Sequence, residues 1–243
     1  MRAKKKQRIP VVLSQDEVKA VLYNMQGTHR LMGRLMYGGG LRLMECIRLR
    51  IKDIDFSRGK LYILMAKGRK DRATLLPVSV REELTHHVER VLRLHEEDLA
   101  EGFGTVYIPP ALLRKYPSSS TEPGWQYVFP SRIRSIDPQT RVERRHHIQE
   151  SGLQKAVKRA VRQTSITKWA TCHTFRHSFA THLLENGVNI RVVQVLMGHS
   201  DVKTTEIYTH VMDKTINEIA SPLDTAMGMG KDEFQGTDAI RLP

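Results

Sequence analysis

The sequence is poor in the features that several large classes of protein depend on. It has only two cysteines, Cys46 and Cys172, in 243 residues, too few for a disulfide framework or a four-cysteine zinc site. No apolar run approaches the roughly 20 residues that a membrane-spanning helix needs, and the apolar stretch after the basic start is too short for a signal peptide. We therefore expect a cytoplasmic protein with no membrane partner, in which both cysteines are buried as small apolar residues.

Acidic residues are also scarce relative to basic ones. The chain has 26 Asp and Glu against 39 Lys and Arg, which gives a formal net charge of +13. An excess of this size in a folded chain predicts a polyanionic partner, with nucleic acid first. The charge is uneven, because residues 82–101 carry mostly acids and residues 141–162 carry mostly bases. We expect one basic face and one acidic face.

The spacing of apolar residues predicts a mainly helical chain with one small sheet. Ser14 and Glu17 fit a capping box at the start of a first helix, and a second helix is expected to end at the glycine run 38–40. Residues 51–76 read as three short antiparallel strands joined by polar turns that contain glycine. Further helices are expected over about 80–99 and 148–163, and then in short pieces to about 219. The predicted fold class is therefore mainly α with a small three-stranded antiparallel β-sheet.

Three segments of the chain are expected to differ in organisation. Residues 1–12 are basic and read as a linker or a nucleic-acid-binding arm. Residues 13–220 form the folded domain, within which residues 103–147 look like an added, largely irregular segment. Residues 221–243 read as a C-terminal tail.

Six polar side chains, spread over three islands of sequence, carry groups suited to phosphoryl transfer. Two arginines can bind the non-bridging oxygens of a phosphate through bidentate forks. A tyrosine can form a covalent intermediate, and it needs cationic neighbours or a base because its reference pKa is ~10. A lysine or a histidine can protonate the departing 5′ oxygen. The six side chains are Arg42, Lys67, His173, Arg176, His199 and Tyr208.

Taken singly, each of these side chains also has a structural interpretation. Arg42 reads equally as a surface arginine on a helix, and Lys67 as an ordinary turn lysine. Tyr208 reads as a half-buried core tyrosine, and His173 and His199 as helix caps. The six together, in this order, would require six coincidences, so we favour the functional interpretation.

Metal and nucleotide chemistry find little support in the sequence. His173 and His177 have the i, i+4 spacing of zinc peptidases, but Thr174 stands where that motif needs a glutamate. Asp53 and Asp55 lack a convincing third carboxylate, and there is no phosphate-binding P-loop. We expect no metal and no cofactor.

Three other polar residues near these islands are assigned structural roles. Glu45 lies one helical turn from Arg42, and we expect it to orient an arginine or to cap a helix. His177 and His182 are interpreted as structural.

In order and spacing, the six side chains resemble the active-site set of the tyrosine recombinase and integrase family over about residues 13–219. The resemblance implies that residues 13–220 have the family's catalytic-domain fold. It implies cleavage and rejoining of DNA through a 3′-phosphotyrosine at Tyr208, in a synaptic tetramer assembled on DNA, in the bacterial cytoplasm in association with the nucleoid. Members usually carry an N-terminal DNA-clamping domain, and this chain begins in what resembles the linker after it.

Residues 103–147 resemble the added segment of integron integrases, through 111–117, 124–130 and 144–147. This implies recombination of gene cassettes at folded, single-stranded DNA hairpins. By position, the side chains that would contact extruded bases are Trp125, Pro138, His146 and His147. Alternatively, the segment is a tolerated surface insertion with Trp125 packed as an anchor.

A second function remains open beside recombination. The chain could be a DNA-binding module that does not recombine, and a topoisomerase-like relaxing activity is a minor third alternative because the chemistry is shared.

Overall fold

The computed structural model describes residues 10–64, 71–199, 201–206 and 208, all of which belong to one compact unit. Lys67 and every residue after Tyr208 lie outside the described residues. In chain order the elements are α1 (Gln15–Tyr23), α2 (Gly27–Gly39), α3 (Leu43–Ile47), β1 (Ile54–Asp55), β2 (Lys60–Ile63), β3 (Arg72–Leu75), α4 (Arg81–Ala100), α5 (Pro110–Lys115), β4 (Ser135–Ile136), β5 (Glu143–Arg144), α6 (Glu150–Arg162), α7 (Cys172–Glu185), α8 (Ile190–Met197) and α9 (Lys203–Glu206).

The first two helices form as the sequence pattern predicted. Ser14 Oγ accepts a hydrogen bond from the Glu17 amide at 3.2 Å, and the Glu17 carboxylate accepts one from the Ser14 amide at 2.7 Å, which is the expected capping box. Helix α2 buries Leu31, Leu35 and Met36 completely and packs against α7. Burial of each such side chain contributes about 1.5–3 kcal/mol, so α2 and α7 form the centre of the helical core.

Helix α2 ends within the glycine run 38–40, as predicted, and close packing explains why glycines stand there. The helix continues through Gly39, and Gly40 caps it in the left-handed conformation with φ of 62°. A Cβ atom on Gly39 would lie 2.9 Å from the carbonyl oxygen of Leu75, and one on Gly40 would lie 2.5 Å from the ring of Phe179. Only glycine lets the end of α2 approach β3 and α7 this closely, and Arg42 follows two residues later at the same junction.

The three-stranded antiparallel sheet is confirmed. Strand β2 pairs with both β1 and β3, and the turn between β1 and β2 contains Gly59 with φ of 63°. Leu61 and Ile63 of β2 are buried, and the facing residue of Ile63 is Arg72 on β3. Arg72 is only 7% exposed, so this strand brings a buried arginine to the edge of the helical core.

The added segment, residues 103–147, contains secondary structure that its sequence does not predict. Besides α5, it forms a second, two-stranded antiparallel sheet from β4 and β5. It also has a small core of its own, made of Val106, Ile108 and Tyr127. Strands of two residues carry too few side chains for an alternating pattern, which is why this sheet has no signature in the sequence.

One carboxylate of α4 fixes the added segment to the rest of the protein. Asp98 Oδ1 accepts hydrogen bonds from Arg134 and from Arg145 Nη2, both at 2.8 Å, and Arg145 Nε donates to the other oxygen. Arg134 also pairs with Glu101 at 2.7 Å and with Glu143 at 3.4 Å. The acidic helix α4 and the basic segment after it are thus partly paired with each other.

Two further expectations concern the cysteines and the membrane. Cys46 and Cys172 are free and buried, as predicted, and burial raises the pKa of both thiols, that of Cys172 to about 11. Among the residues described, no helix combines the length and the apolar character needed to cross a bilayer.

Candidate active site

A single carboxylate, Glu45, lies among three arginines from three different elements. It accepts hydrogen bonds from Arg42 Nη1 at 2.7 Å and from the two terminal nitrogens of Arg72 at 2.9 and 2.7 Å. Arg176 Nη1 lies 3.7 Å from Glu45 Oε2. Burial alone would raise the pKa of the Glu45 carboxyl, but the hydrogen bonds and charges of Arg72 and Arg42 outweigh it and hold that pKa at about 2. We call these four residues the Glu45 cluster.

The Glu45 cluster has an unbalanced charge. Three guanidinium groups face one carboxylate, which leaves two positive charges in excess. Burial, together with the charge of Arg42, lowers the pKa of Arg176 to about 9. Crowded arginines of this kind are stabilised by an anion that enters between them, and a phosphodiester carries one negative charge.

Backbone carbonyls at the ends of two helices orient Arg176. Its Nη1 donates to the carbonyl oxygen of Gly40, just after α2, and its Nη2 donates to that of Met197, the last residue of α8. The C-terminal end of a helix carries partial negative charge, so both contacts favour a cation here. Arg72 Nε likewise donates to the carbonyl oxygen of Leu196 at 2.8 Å. The arginines therefore have few alternative orientations.

His199 bridges the Glu45 cluster to α9. Arg176 Nη2 donates to His199 Nε2 at 3.3 Å, and His199 Nδ1 lies 2.9 Å from Thr205 Oγ1. Burial and the charges of Arg176 and Arg42 lower the pKa of His199 to about 4. The imidazole is therefore neutral at pH 7, and its ring stacks at 6.3 Å on that of Tyr208.

Tyr208 lies beside His199, next to the Glu45 cluster, and is only 2% exposed. Its hydroxyl is 3.0 Å from Nδ1 of His177 on α7. Burial raises the pKa of Tyr208, and the charges of Arg176 and Arg42 oppose that rise only in part. The hydroxyl is therefore protonated at neutral pH and needs a proton acceptor before it can act as a nucleophile.

The structure brings together four of the six residues singled out in the sequence. Arg42 and Arg176 share Glu45, and Arg176 contacts His199, whose ring stacks on Tyr208. His173 lies one helical turn before Arg176 on the exposed side of α7. The assignment of Lys67 falls outside the described residues.

Two residues of the site were missed. Arg72 directly follows a polar turn, where the strand register cannot be read, and only the register shows that its side chain points inward. His177 was interpreted as structural, and its contact with Tyr208, 31 residues further along the chain, is visible only in the folded protein. Within the described ranges, no three His, Cys, Asp or Glu side chains are grouped as metal ligands.

The four side chains singled out in the added segment lie in two places. Pro138 and His146 line a cavity of about 460 Å³ that also contains Tyr107, Asp137 and Arg144. The rings of His146 and His147 are 4.0 Å apart. Burial lowers the pKa of both, that of His147 to about 4.

Trp125 does not line this cavity. It is half-buried, with Lys52 Nζ 4.2 Å from its ring centre and the ring of Tyr116 at 6.0 Å. It packs beside the small core of the segment, and its contact with an extruded base stays a prediction.

Comparison with known proteins identifies the class. Residues 11–215 match the model of the phage integrase family. An integrase/recombinase from Escherichia coli is 47% identical over 223 residues, which cover 92% of this chain and 66% of the relative. This chain thus spans slightly less than two thirds of that relative's length.

Two solved structures are similar in fold. The XerA recombinase has a TM-score of 0.61 at 25% identity, with 93% of this chain and 67% of that chain covered. The catalytic domain of bacteriophage HP1 integrase has a TM-score of 0.51 at 18% identity, with 90% of this chain and 94% of that domain covered.

The chain belongs to the phage integrase family. The expected place among the tyrosine recombinases is confirmed, and so is the mainly helical catalytic-domain fold. Assignment to the integron integrases stays a prediction.

Proposed function

We propose that this protein is a site-specific DNA recombinase that cuts and rejoins DNA through a 3′-phosphotyrosine at Tyr208. The observation that carries the proposal is the Glu45 cluster, a buried excess of two positive charges beside a tyrosine hydroxyl. A phosphodiester supplies one of the two missing negative charges, and held between Arg42 and Arg176 its phosphorus lies near that hydroxyl. Residues 13–220 are proposed as the catalytic domain, with residues 1–12 as a basic linker and 221–243 as a tail.

In the proposed reaction each side chain has a separate task. The oxygen of Tyr208 attacks the phosphorus, the bond to the 5′ oxygen breaks, and the 3′ end stays attached to the protein. Arg42 and Arg176 stabilise the negative charge that accumulates on the non-bridging oxygens. By resemblance to the family, Lys67 protonates the departing 5′ oxygen, and His173 and His199 complete the site. One phosphate ester replaces another, so the step is readily reversed and the strand can be rejoined.

A covalent capture experiment tests this function without knowledge of the target sequence. The 243-residue chain is incubated with a pool of nicked duplexes of randomised sequence, in which loss of the short fragment beyond the nick traps the attached strand. We expect an SDS-resistant protein–DNA adduct, with the modified peptide containing Tyr208, formed equally well in EDTA.

Tyr208→Phe is the matched control, because it keeps the ring and removes only the nucleophilic oxygen. It should bind DNA and form no adduct. An adduct in this variant would assign the nucleophile to another residue. DNA binding without any adduct from the unaltered chain would favour the alternative, a DNA-binding module without recombination.

DNA is the proposed partner, with four copies of the chain assembled on it in the bacterial cytoplasm, in association with the nucleoid. The net charge of +13 supports this, because lysine and arginine contacts to phosphates release counterions. Binding should therefore weaken steeply as salt rises. Analytical ultracentrifugation with captured DNA tests the tetramer.

The finer proposal is recombination of integron gene cassettes, in which the added segment receives bases extruded from a DNA hairpin. The supporting feature is the cavity beside His146, where aromatic rings and polar edges lie together. Stacking of an unpaired base on an aromatic side chain contributes ~1–3 kcal/mol. An imidazole can also form a hydrogen bond to an exposed base edge.

The test compares a bulged hairpin with a fully paired duplex of the same arms. His146→Ala combined with His147→Ala, and separately Pro138→Ala, should weaken binding to the bulged hairpin about tenfold and leave the duplex unchanged. Trp125→Ala tests the remaining candidate in the same way. Equal losses on both ligands would indicate a structural role, and no loss on either would make the segment a tolerated insertion.

A further inference from the structure

Helix α7 carries two histidines that each contact a tyrosine hydroxyl. His177 Nδ1 lies 3.0 Å from Tyr208 Oη, and His182 Nδ1 lies 2.9 Å from Tyr37 Oη. The two pairs have the same chemistry and lie on the same helix. They differ in their position, because only Tyr208 lies next to the Glu45 cluster. The His177–Tyr208 pair can therefore act in catalysis, and the His182–Tyr37 pair serves as an internal control.

The imidazole of His177 is in the form that accepts a proton. Burial, with the charges of His173 and Arg176 on its own helix, lowers the pKa of His177 to about 4. From the other elements, His199 after α8 and Tyr208 after α9 face it. A neutral imidazole that receives the phenol proton at Nδ1 carries its own proton on Nε2.

The other two histidines near Tyr208 are engaged elsewhere or face solvent. Both ring nitrogens of His199 have partners, Arg176 at Nε2 and Thr205 at Nδ1. His173 is exposed, and among the described residues it has no hydrogen bond to Tyr208. The nitrogen in contact with the nucleophilic oxygen therefore belongs to His177.

We propose that His177 is the general base that activates Tyr208, an inference that rests on the proposed role of Tyr208 as the nucleophile. As the bond from Tyr208 Oη to phosphorus forms, the phenol proton moves to His177 Nδ1. The bond from phosphorus to the 5′ oxygen breaks, and that oxygen takes a proton from the cationic group assigned to Lys67. Rejoining reverses each transfer, so the proton returns from His177 to Tyr208 and atoms and charges balance over the cycle.

Binding of the substrate improves His177 as a base. Burial is the main cause of the low pKa of His177, and a phosphodiester beside Arg176 offsets the part of the lowering that comes from the charge of that arginine. The pKa of His177 then rises towards the working pH, where general-base catalysis is most effective. The resting site thus keeps the hydroxyl hydrogen-bonded and protonated until an anion arrives.

The experiment measures single-turnover adduct formation by the whole chain on a nicked duplex recovered from the covalent capture. His177→Asn places an amide oxygen near the position of Nδ1, so it can keep the hydrogen bond but cannot take a proton. We expect the rate at pH 7 to fall about 10²–10⁴-fold, with DNA affinity unchanged. The loss should shrink as pH rises, because solvent base then supplies the phenolate.

His182→Asn is the matched control, since it makes the same change in the other pair of α7. It should form the adduct at the rate of the unaltered chain. Equal slowing in both variants would attribute the effect to damage to the helix and overturn the proposal. Adduct formation by His177→Asn at the unaltered rate and with an unaltered pH profile would also overturn it.

A second variant separates the base from a purely structural role. His177→Ala leaves space where the ring was, and added imidazole should restore adduct formation in proportion to its neutral form. Failure of imidazole and of other small bases to restore any activity in a folded His177→Ala protein would refute the general base. If the unaltered chain itself forms no adduct at Tyr208, the proposed function fails, which is a different result from all of these.

Discussion

Two regions of this molecule use the same chemistry, arginines gathered around a buried carboxylate, for different ends. At the junction of α4 with the added segment, Asp98, Glu101 and Glu143 face Arg134 and Arg145, so acids outnumber bases by one. In the Glu45 cluster the bases outnumber the acid by two.

The electrostatic consequences are opposite. The pKa of Arg134 is raised by Glu101 and Asp98, whereas that of Arg176 is lowered to about 9 by burial and by Arg42. Both regions have well-formed ion pairs, so the geometry of the pairs alone does not distinguish an anion-binding site from a structural ion-pair network. The sign of the net charge distinguishes them, because of the two clusters only the Glu45 cluster is stabilised by an incoming anion.

The largest difference between the two regions is expected when the central carboxylate of each is removed. Glu45→Gln leaves the buried Arg72 and Arg176 and the half-buried Arg42 without their counter-charge, and we expect a loss of about 3–5 kcal/mol in the free energy of unfolding. Asp98→Asn should cost less, about 1–3 kcal/mol, because Arg134 keeps its two other carboxylates. Urea unfolding of both variants measures the difference, and equal losses would contradict it.

Removing an arginine from each region should separate catalysis from stability. Arg176→Ala or Arg42→Ala should slow adduct formation about 10²–10³-fold, the usual effect of losing one preorganised donor. Arg134→Ala should lower the melting temperature and leave the rate of adduct formation close to that of the unaltered chain. Rapid single-turnover cleavage by Arg176→Ala would remove this residue from the catalytic set.

Acid should weaken the Glu45 cluster in a defined pH range. The pKa of Glu45 is lowered from 4.5 to about 2 on folding, so its contribution is complete above pH 4.5 and is lost as pH falls towards 2. The contribution corresponds to about 3 kcal/mol. Urea unfolding between pH 5 and 2 should show this decline in the unaltered chain and a shallower one in Glu45→Gln. Parallel curves would show that other carboxyls dominate.

The smallest expected effect is the stabilisation of the Glu45 cluster by an added anion. Inorganic phosphate should raise the melting temperature, because an anion at about ten times its dissociation constant stabilises the fold by about 1.4 kcal/mol. The rise should disappear in Arg42→Ala and persist in Arg134→Ala. A rise of equal size in all three proteins would indicate a general salt effect on the basic surface.

Features of this structure that depend on neighbouring residues could be predicted from the sequence, and features that depend on tertiary packing could not. The capping box of Ser14, the three strands and the order of Arg42, Arg176, His199 and Tyr208 were readable because each depends on a few neighbouring residues or on a family pattern. Arg72 and the β4–β5 sheet were not, since their positions depend on strand register and on tertiary packing.

Prediction from sequence was likewise only partly possible for the added segment. Pro138 and His146 could be proposed by position, and they share one cavity. That Trp125 instead packs against Lys52 could not be read, because the two residues are far apart in sequence and meet only in the folded protein.

The two backbone partners of Arg176 also bear on the order of events in folding. One of them, the carbonyl of Gly40, is separated from Arg176 by 136 residues, and closing so long a loop costs entropy that only later contacts repay. We therefore expect the contact between Arg176 and Gly40 to form only after α2 and α7 have docked. On this expectation phosphate binding develops late in refolding, and a stopped-flow anion-binding signal measures when these two helices come together.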